Sequence, residues 1–217
     1  MRDVYHEELD AVGQTLVQMA GMVGTALERA TAALLDADLQ TAETVISGDE
    51  AVDALQQDLE VRILDLIARQ QPVAGDLRTL VTSLRMSSDL ERMGDLAEHV
   101  AKVARMRYPQ SAIPAELHAD VREMGRIGAV LAGKVAQIIE GRDTEAAREL
   151  ESEDDAVDHL HRALFSALLD KEKQNPYTME TAIDVTLVGR YYERFADHAV
   201  SVADRLVFLV TGELVAA

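Results

Sequence analysis

The sequence predicts an all-α fold, two tandem three-helix bundles with six long helices related by an internal repeat. Three observations lead there. The chain is 48% hydrophobic but only 4% aromatic, so its core must be aliphatic and rich in alanine, a composition that suits helices. Only four prolines and twelve glycines punctuate the 217 residues, and few stretches alternate as half-buried strands do. The chain also repeats itself: residues 38–55 match residues 143–160 at eight of eighteen positions under an offset of 105, and residues 91–101 match 193–203 at six of eleven under an offset of 102. A three-residue difference in loop length accounts for the change of register, and a repeat of this kind marks a duplicated helical unit.

Turn signals place the six helices. Breaks are expected near Asp36 to Asp38, at QQPVAGD (70–76), YPQSAIP (108–114), EGRD (140–143) and KQNPYT (173–178), each rich in Pro, Gly or polar turn formers. The intervening segments of about 25 to 35 residues make rods of roughly 40 to 50 Å, and long rods joined by short loops pack antiparallel. The expected units are residues 1–108 and 113–217, related by a pseudo-twofold axis. In the second helix Val52, Leu55, Leu59, Ile63 and Leu66 recur at helical spacing and face inward; in the third, Leu90, Met93, Ala97, Val100 and Ala104 do so. In the sixth, Val188, Tyr192, Phe195, Ala199, Val202, Leu206 and Leu209 form the seam.

The charge balance excludes some partners. Thirty-nine acidic residues against twenty-one basic ones leave a net charge of −18. Nucleic acid and anionic lipid both select basic surfaces, so neither is expected. The absence of cysteine removes disulfides, thiolate metal sites and Cys nucleophiles. No apolar run approaches the roughly 20 residues that span a bilayer, and MRDVYHEELD is too acidic and polar for a signal peptide. The expectation is a cytoplasmic protein that meets a membrane only through its partners.

The acids carry a pattern of their own. ERMGD (91–95) and ERFAD (193–197) each set a Glu and an Asp four residues apart around an Arg. Each follows an Asp-x-x-x-Asp helix, Asp49 and Asp53 in the first copy, Asp154 and Asp158 in the second. Helical-wheel arithmetic turns Glu91, Asp95, Glu193, Asp197 and Asp204 away from the apolar stripes and leaves Asp49, Asp53, Asp154 and Asp158 on a flank. Like charges at this spacing repel slightly. Two readings stand side by side: a solvated acidic face, or a surface site for a hard cation such as Mg²⁺, Mn²⁺ or iron, since oxygen ligands from one helix plus one or two from a neighbour suit such ions. The duplication of the pattern with its surroundings favours the cation.

Catalytic readings find little footing. No Gly-rich phosphate loop follows a strand and no His-Glu-x-x-His appears. A di-iron carboxylate centre needs Glu-x-x-His on two helices, and the nearest match is the single Asp158 to His161. Arg78 and Arg92 sit among acids and are expected to pair with them rather than with phosphate. A metal-free helical adaptor is the main rival to the metal-bearing reading.

QQPVAGDLR, DLERMGDLAEHVA, SEDDAVDHL, YYERFADHAVSVAD and the terminal VFLVTGE together resemble the PhoU family of phosphate-signalling regulators over essentially the whole chain. The resemblance implies two three-helix bundles, a cytoplasmic location, a homodimer and no enzymatic activity. It implies negative regulation of phosphate uptake and homeostasis, coupling the phosphate ABC transporter ATPase to a sensor histidine kinase. It also implies a divalent metal or iron (Mg, Mn, Fe or Zn) on Glu91 and Asp95 and on Glu193 and Asp197, with Asp49, Asp53, Asp154 and Asp158 at the family's flanking acidic positions. The halves differ: Asp89 becomes Tyr191, Leu96 becomes His198, and PVAGDLR has only NPYTMET opposite it. His198 is read as structural, whereas His99, one turn past Asp95, is the better auxiliary ligand.

Overall fold

The computed structural model describes residues 2–169 and 177–213. Its α-helices are α1 (Arg2–Asp36), α2 (Leu39–Gly48), α3 (Glu50–Gln70), α4 (Ala74–Arg107), α5 (His118–Gly141), α6 (Thr144–Leu169) and α7 (Met179–Thr211), with a 3₁₀ turn at Ala115–Leu117 and no strand among the described residues. The six-rod plan holds, with one amendment. The second rod comes in two pieces, because the chain turns at Gly48 and Asp49 before α3 begins. Of the expected break at 173–178, residues 173–176 lie outside the described residues.

Local chemistry sets the ends. Asp38 caps α2 by accepting from the Thr41 amide at 3.1 Å, and Asp143 caps α6 through the amides of Glu145 and Ala146, both at 3.0 Å. These two aspartates are partners in the internal repeat, so one repeated position is explained by a helix start. Gln71 and Arg142 adopt left-handed backbone beyond α3 and α5, each donating its amide to the carbonyl four residues back. Other repeated positions are core: Ala42 with Ala147 and Val52 with Val157 are all buried.

Helix α1 packs on α4 and α5, and α7 packs on α4, α6 and α5, so α1, α4, α5 and α7 share a core that both repeats build. Every expected stripe residue of the third helix is buried; those of the second and sixth are too, apart from Leu55 and Leu209, which are half-buried. Tyr192 and Phe195 lie at the centre, where full burial of a phenylalanine contributes about 1.5 to 3 kcal/mol. The Tyr192 hydroxyl meets Thr31 Oγ1 at 2.8 Å, joining α7 to α1. Opposite Thr31, α5 carries Gly125, where any Cβ would collide with the threonine side chain.

Both ends of the antiparallel α4/α7 pair are clamped by an arginine of α4. Arg107 grips the buried Asp184 with two bonds, of 2.6 and 3.0 Å, and also reaches Glu180. At the other end Arg78 donates from Nε to the Leu209 carbonyl at 3.1 Å and lies over the Phe208 ring at 6.0 Å. The expectation that Arg78 pairs with an acid is therefore corrected: its partner is the carbonyl-rich end of α7, where a cation complements the helix dipole. Among the described residues no helix is long and apolar enough to cross a membrane.

Candidate metal centres

The acids gather where α4 and α7 meet their flanking helices. In the first repeat Asp49 stands at the α2/α3 junction, Asp53 one turn later, and Glu91, Asp95 and Glu98 follow along α4. Asp49, Asp95 and Glu98 can each offer an oxygen, all lying within 4.8 Å of one another. Asp49, Asp53, Asp95, Glu98 and Arg105 line a groove of about 440 Å³. Burial first, then the charges of Asp53, Glu98, Asp95 and Glu91, push the Asp49 carboxyl up to about 7. Asp53 is raised by burial and then by Asp95 and Glu98; Glu91 is raised by burial and then by Asp95. Basic side chains only partly compensate. Arg92, itself 61% exposed, lies 3.7 Å from Glu91 and 3.4 Å from Asp95, as expected, and Lys102 pairs with Glu98.

The second repeat reproduces the electrostatics. Burial, then the charges of Asp197, Asp158, Glu193 and Asp155, push Asp154 up to about 7. Glu193 is raised by burial and then by Asp197, against the pull of Arg190. Two carboxylate oxygens here, Asp154 Oδ1 and Glu193 Oε2, are buried without a hydrogen-bond partner. The outward view of these acids is corrected accordingly. The Glu193 side chain is only 15% exposed and Asp204 is half-buried and raised by burial, while Asp197 alone of the three is exposed.

The histidines divide. His198 Nδ1 lies 3.2 Å from the carboxylate of Asp89, which also accepts from Arg205 Nε at 2.5 Å, so His198 is a structural link across the α4/α7 seam. His99 uses Nδ1 against the Asp95 carbonyl at 2.5 Å and sets its ring 5.3 Å from Tyr191. It stands outside the compact three-acid group. His161, of the lone Asp158 to His161 pair, packs on Phe165 at 4.9 Å, and burial followed by the charge of Arg190 lowers its pKa.

The family model for the PhoU domain matches this chain twice, over residues 16–104 and 121–206. The chain belongs to the PhoU family. Among similar PhoU proteins, the phosphate-specific transport system accessory protein PhoU homolog 2 of Mycobacterium tuberculosis is 48% identical over 212 residues, covering 98% of this chain and 99% of the relative. The PhoU homolog of Aquifex aeolicus is 34% identical, covering 96% and 94% of the two chains. The crystal structure of PhoU from Pseudomonas aeruginosa superposes with a TM-score of 0.86 at 26% identity, over 96% of this chain and all of that one. The phosphate transport system regulatory protein PhoU from Streptococcus pneumoniae gives 0.87 at 26% identity, over 98% of this chain and all of that one.

Within this PhoU chain, the donor set fits a hard cation. Oxygens on opposite sides of an ion such as Mg²⁺ or Ca²⁺ stand about 4 to 5 Å apart, and Asp49, Asp95 and Glu98 each bring an oxygen within 4.8 Å of the others. The unpartnered oxygens of Asp154 and Glu193 fit the same need in the second repeat. Glu98 is the residue that sequence reasoning missed. Its position three residues past Asp95 on one helix face was the available signal. Gly94 was missed as well: a Cβ there would stand 2.6 Å from Asp49 Oδ1, so the bare backbone of α4 is what admits that carboxylate.

Proposed function

We propose that this protein is a cytoplasmic, non-enzymatic regulator of phosphate uptake and homeostasis. It acts as a homodimer and as a negative regulator, coupling the ATPase of a phosphate ABC transporter to a sensor histidine kinase. Each repeat, residues 1–108 and 113–217, contributes one acidic cluster that holds a divalent metal or iron, with Mg, Mn, Fe and Zn the candidates. The regulatory role is supported by the names of relatives that align end to end, phosphate-specific transport system accessory proteins. The observation that carries the metal is the pair of aspartates, Asp49 and Asp154, at equivalent positions of the repeat and each pushed up to about 7 inside its own ring of acids. Carboxylates so placed repel one another, and a bound cation supplies the missing positive charge. Asp49, Asp95 and Glu98 would hold it in the first repeat; Asp154, Glu193, Asp197 and Asp158 would share it in the second. Because Asp49 sits where α2 gives way to α3, holding its carboxylate also fixes that junction against α4.

The test has two arms. Deleting the gene, once redundancy is excluded, is expected to leave phosphate-starvation genes expressed in rich phosphate, and normal repression would refute the regulatory role. Elemental analysis of the purified protein, with a pull-down from phosphate-replete cells with and without chelator, tests metal and partners together. A metal-free adaptor is the second reading, favoured by the pairing of Lys102 with Glu98 and Arg190 with Glu193. It predicts protein without metal whose partner capture ignores chelator.

A further inference from the structure

The outer face of the α1/α5 seam carries a groove of about 580 Å³ that the acidic clusters do not share. Its floor is apolar and shallow in side chain, with Ala32, Leu35, Gly125 and Ala129, and Val130 stands 42% exposed on its rim. Its walls carry opposite charge. Helix α1 supplies Glu28 and Asp36, and α5 supplies Arg122 and Arg126. All four are exposed. Arg126 is held by Glu123 of its own helix at 2.7 and 2.8 Å, whereas Glu28, Asp36 and Arg122 have no ion-pair partner among the described residues.

We propose that a second copy of this chain docks here, so that the α1/α5 face is the homodimer interface. The inference rests on the homodimer in the proposed function and assigns its surface. The argument is charge complementarity under twofold symmetry. In an isologous contact the same patch appears on both subunits, so whatever one wall lacks the other copy must present. Turning a copy about a twofold axis over the groove brings the acidic α1 wall of each subunit onto the basic α5 wall of the other. The apolar floors and the two Val130 side chains then meet between them. A chain of net charge −18 repels its own copies overall, so self-association needs a surface where opposite charges are locally matched, and this groove provides one. Small floor residues let helices approach closely without repacking.

Charge swaps test the assignment on the full-length protein by light scattering and sedimentation across micromolar concentrations. Wild type is expected to dimerise. The variant Arg122→Glu/Arg126→Glu and the variant Glu28→Arg/Asp36→Arg are each expected to weaken dimerisation by about tenfold or more, because each makes both walls alike. Mixing the two is expected to restore a dimer, now a heterodimer of an all-acidic with an all-basic groove, and the four-site swap is expected to restore the homodimer. Melting curves of each variant check the fold; these exposed positions leave it intact, and the rescue would be absent if misfolding were the cause. A monomeric wild type overturns the homodimer and this face together. A dimeric wild type whose variants dimerise unchanged overturns this face alone and leaves the homodimer standing. Variants that fail to dimerise and are not rescued on mixing overturn the twofold pairing.

Discussion

The two acidic clusters are copies in sequence and differ in construction. Both place an aspartate on the flanking helix, pushed up to about 7, against a Glu-Arg-x-x-Asp turn. In the first, Gly94 admits Asp49 and Glu98 adds a third carboxylate, so three acids converge within 4.8 Å. In the second, the equivalent positions are Ala196 and Val200, and the cluster instead leaves Asp154 Oδ1 and Glu193 Oε2 buried and unpartnered. The duplication preserved the electrostatic demand, and point changes on one helix decided how it is met. On that construction the first cluster is expected to bind a small hard ion more tightly than the second.

The largest expected effect separates the two halves by stability. Asp89→Ala removes the buried acid that His198 and Arg205 share, a loss of about 1.5 to 3 kcal/mol for hydrogen bonds to a charged group, since Arg205 is itself only half-buried. Tyr191→Phe, at the matching position, is expected to stay within about 0.5 kcal/mol. Denaturant unfolding measures both, and equal costs would break the asymmetry. Next comes affinity. Glu98→Gln is expected to weaken the tighter Mn²⁺ site about tenfold, near 1.4 kcal/mol, without touching the weaker one. Val200→Glu should tighten the second site in turn. Calorimetric titration reads the two sites separately; a Glu98 change that alters neither refutes its role as a ligand.

Protonation gives a smaller signal with a definite sign. Asp49 and Asp154 bind protons more tightly folded than unfolded, so their contribution is fully present below their ordinary value of 3.8 and is lost as pH rises through about 7. Metal-free protein is therefore expected to melt progressively lower between pH 4 and 7, with added Mn²⁺ reversing the loss at pH 7. Asp49→Asn and Asp154→Asn should each flatten that slope by a similar amount; a slope that neither changes would place the titration elsewhere. The smallest effect is at the close approach. Gly94→Ala gains helix propensity but displaces the Asp49 carboxylate, so stability moves little while first-site affinity falls. Ala196→Gly loses about 1 kcal/mol of helix stability and spares affinity. A first site indifferent to Gly94→Ala would show that Asp49 does not need that approach.

Much of this was legible because the repeat records more than one kind of constraint. Asp38 and Asp143 recur because helices need caps, Val52 and Val157 because the core needs filling, and Asp49 and Asp154 because the clusters need acids. Glu98 stayed hidden because Val200 stands opposite it, so the aligned stretch does not repeat the acid, and because Glu98 with Lys102 reads as an ordinary solubilising pair four residues apart. The turn at Gly48 and Asp49 was equally quiet, since one glycine inside a helical pattern seldom ends it. Arg78 was misjudged for a different reason. Its partner is a backbone carbonyl 131 residues away, and no local charge pattern points to it.

The hydrogen bond between Thr31 and Tyr192, with Gly125 pressed against the same threonine, has a consequence for cooperativity. Those contacts tie α1 of one repeat to α5 and α7 of the other at the deepest point of the core. Neither half can open its centre without uncovering the other's, so the duplicated chain should melt as one unit rather than as two. Calorimetric and van't Hoff enthalpies are expected to agree, and the slowest-exchanging amides should fall in α1, α5 and α7 together, as a single foldon spanning both copies.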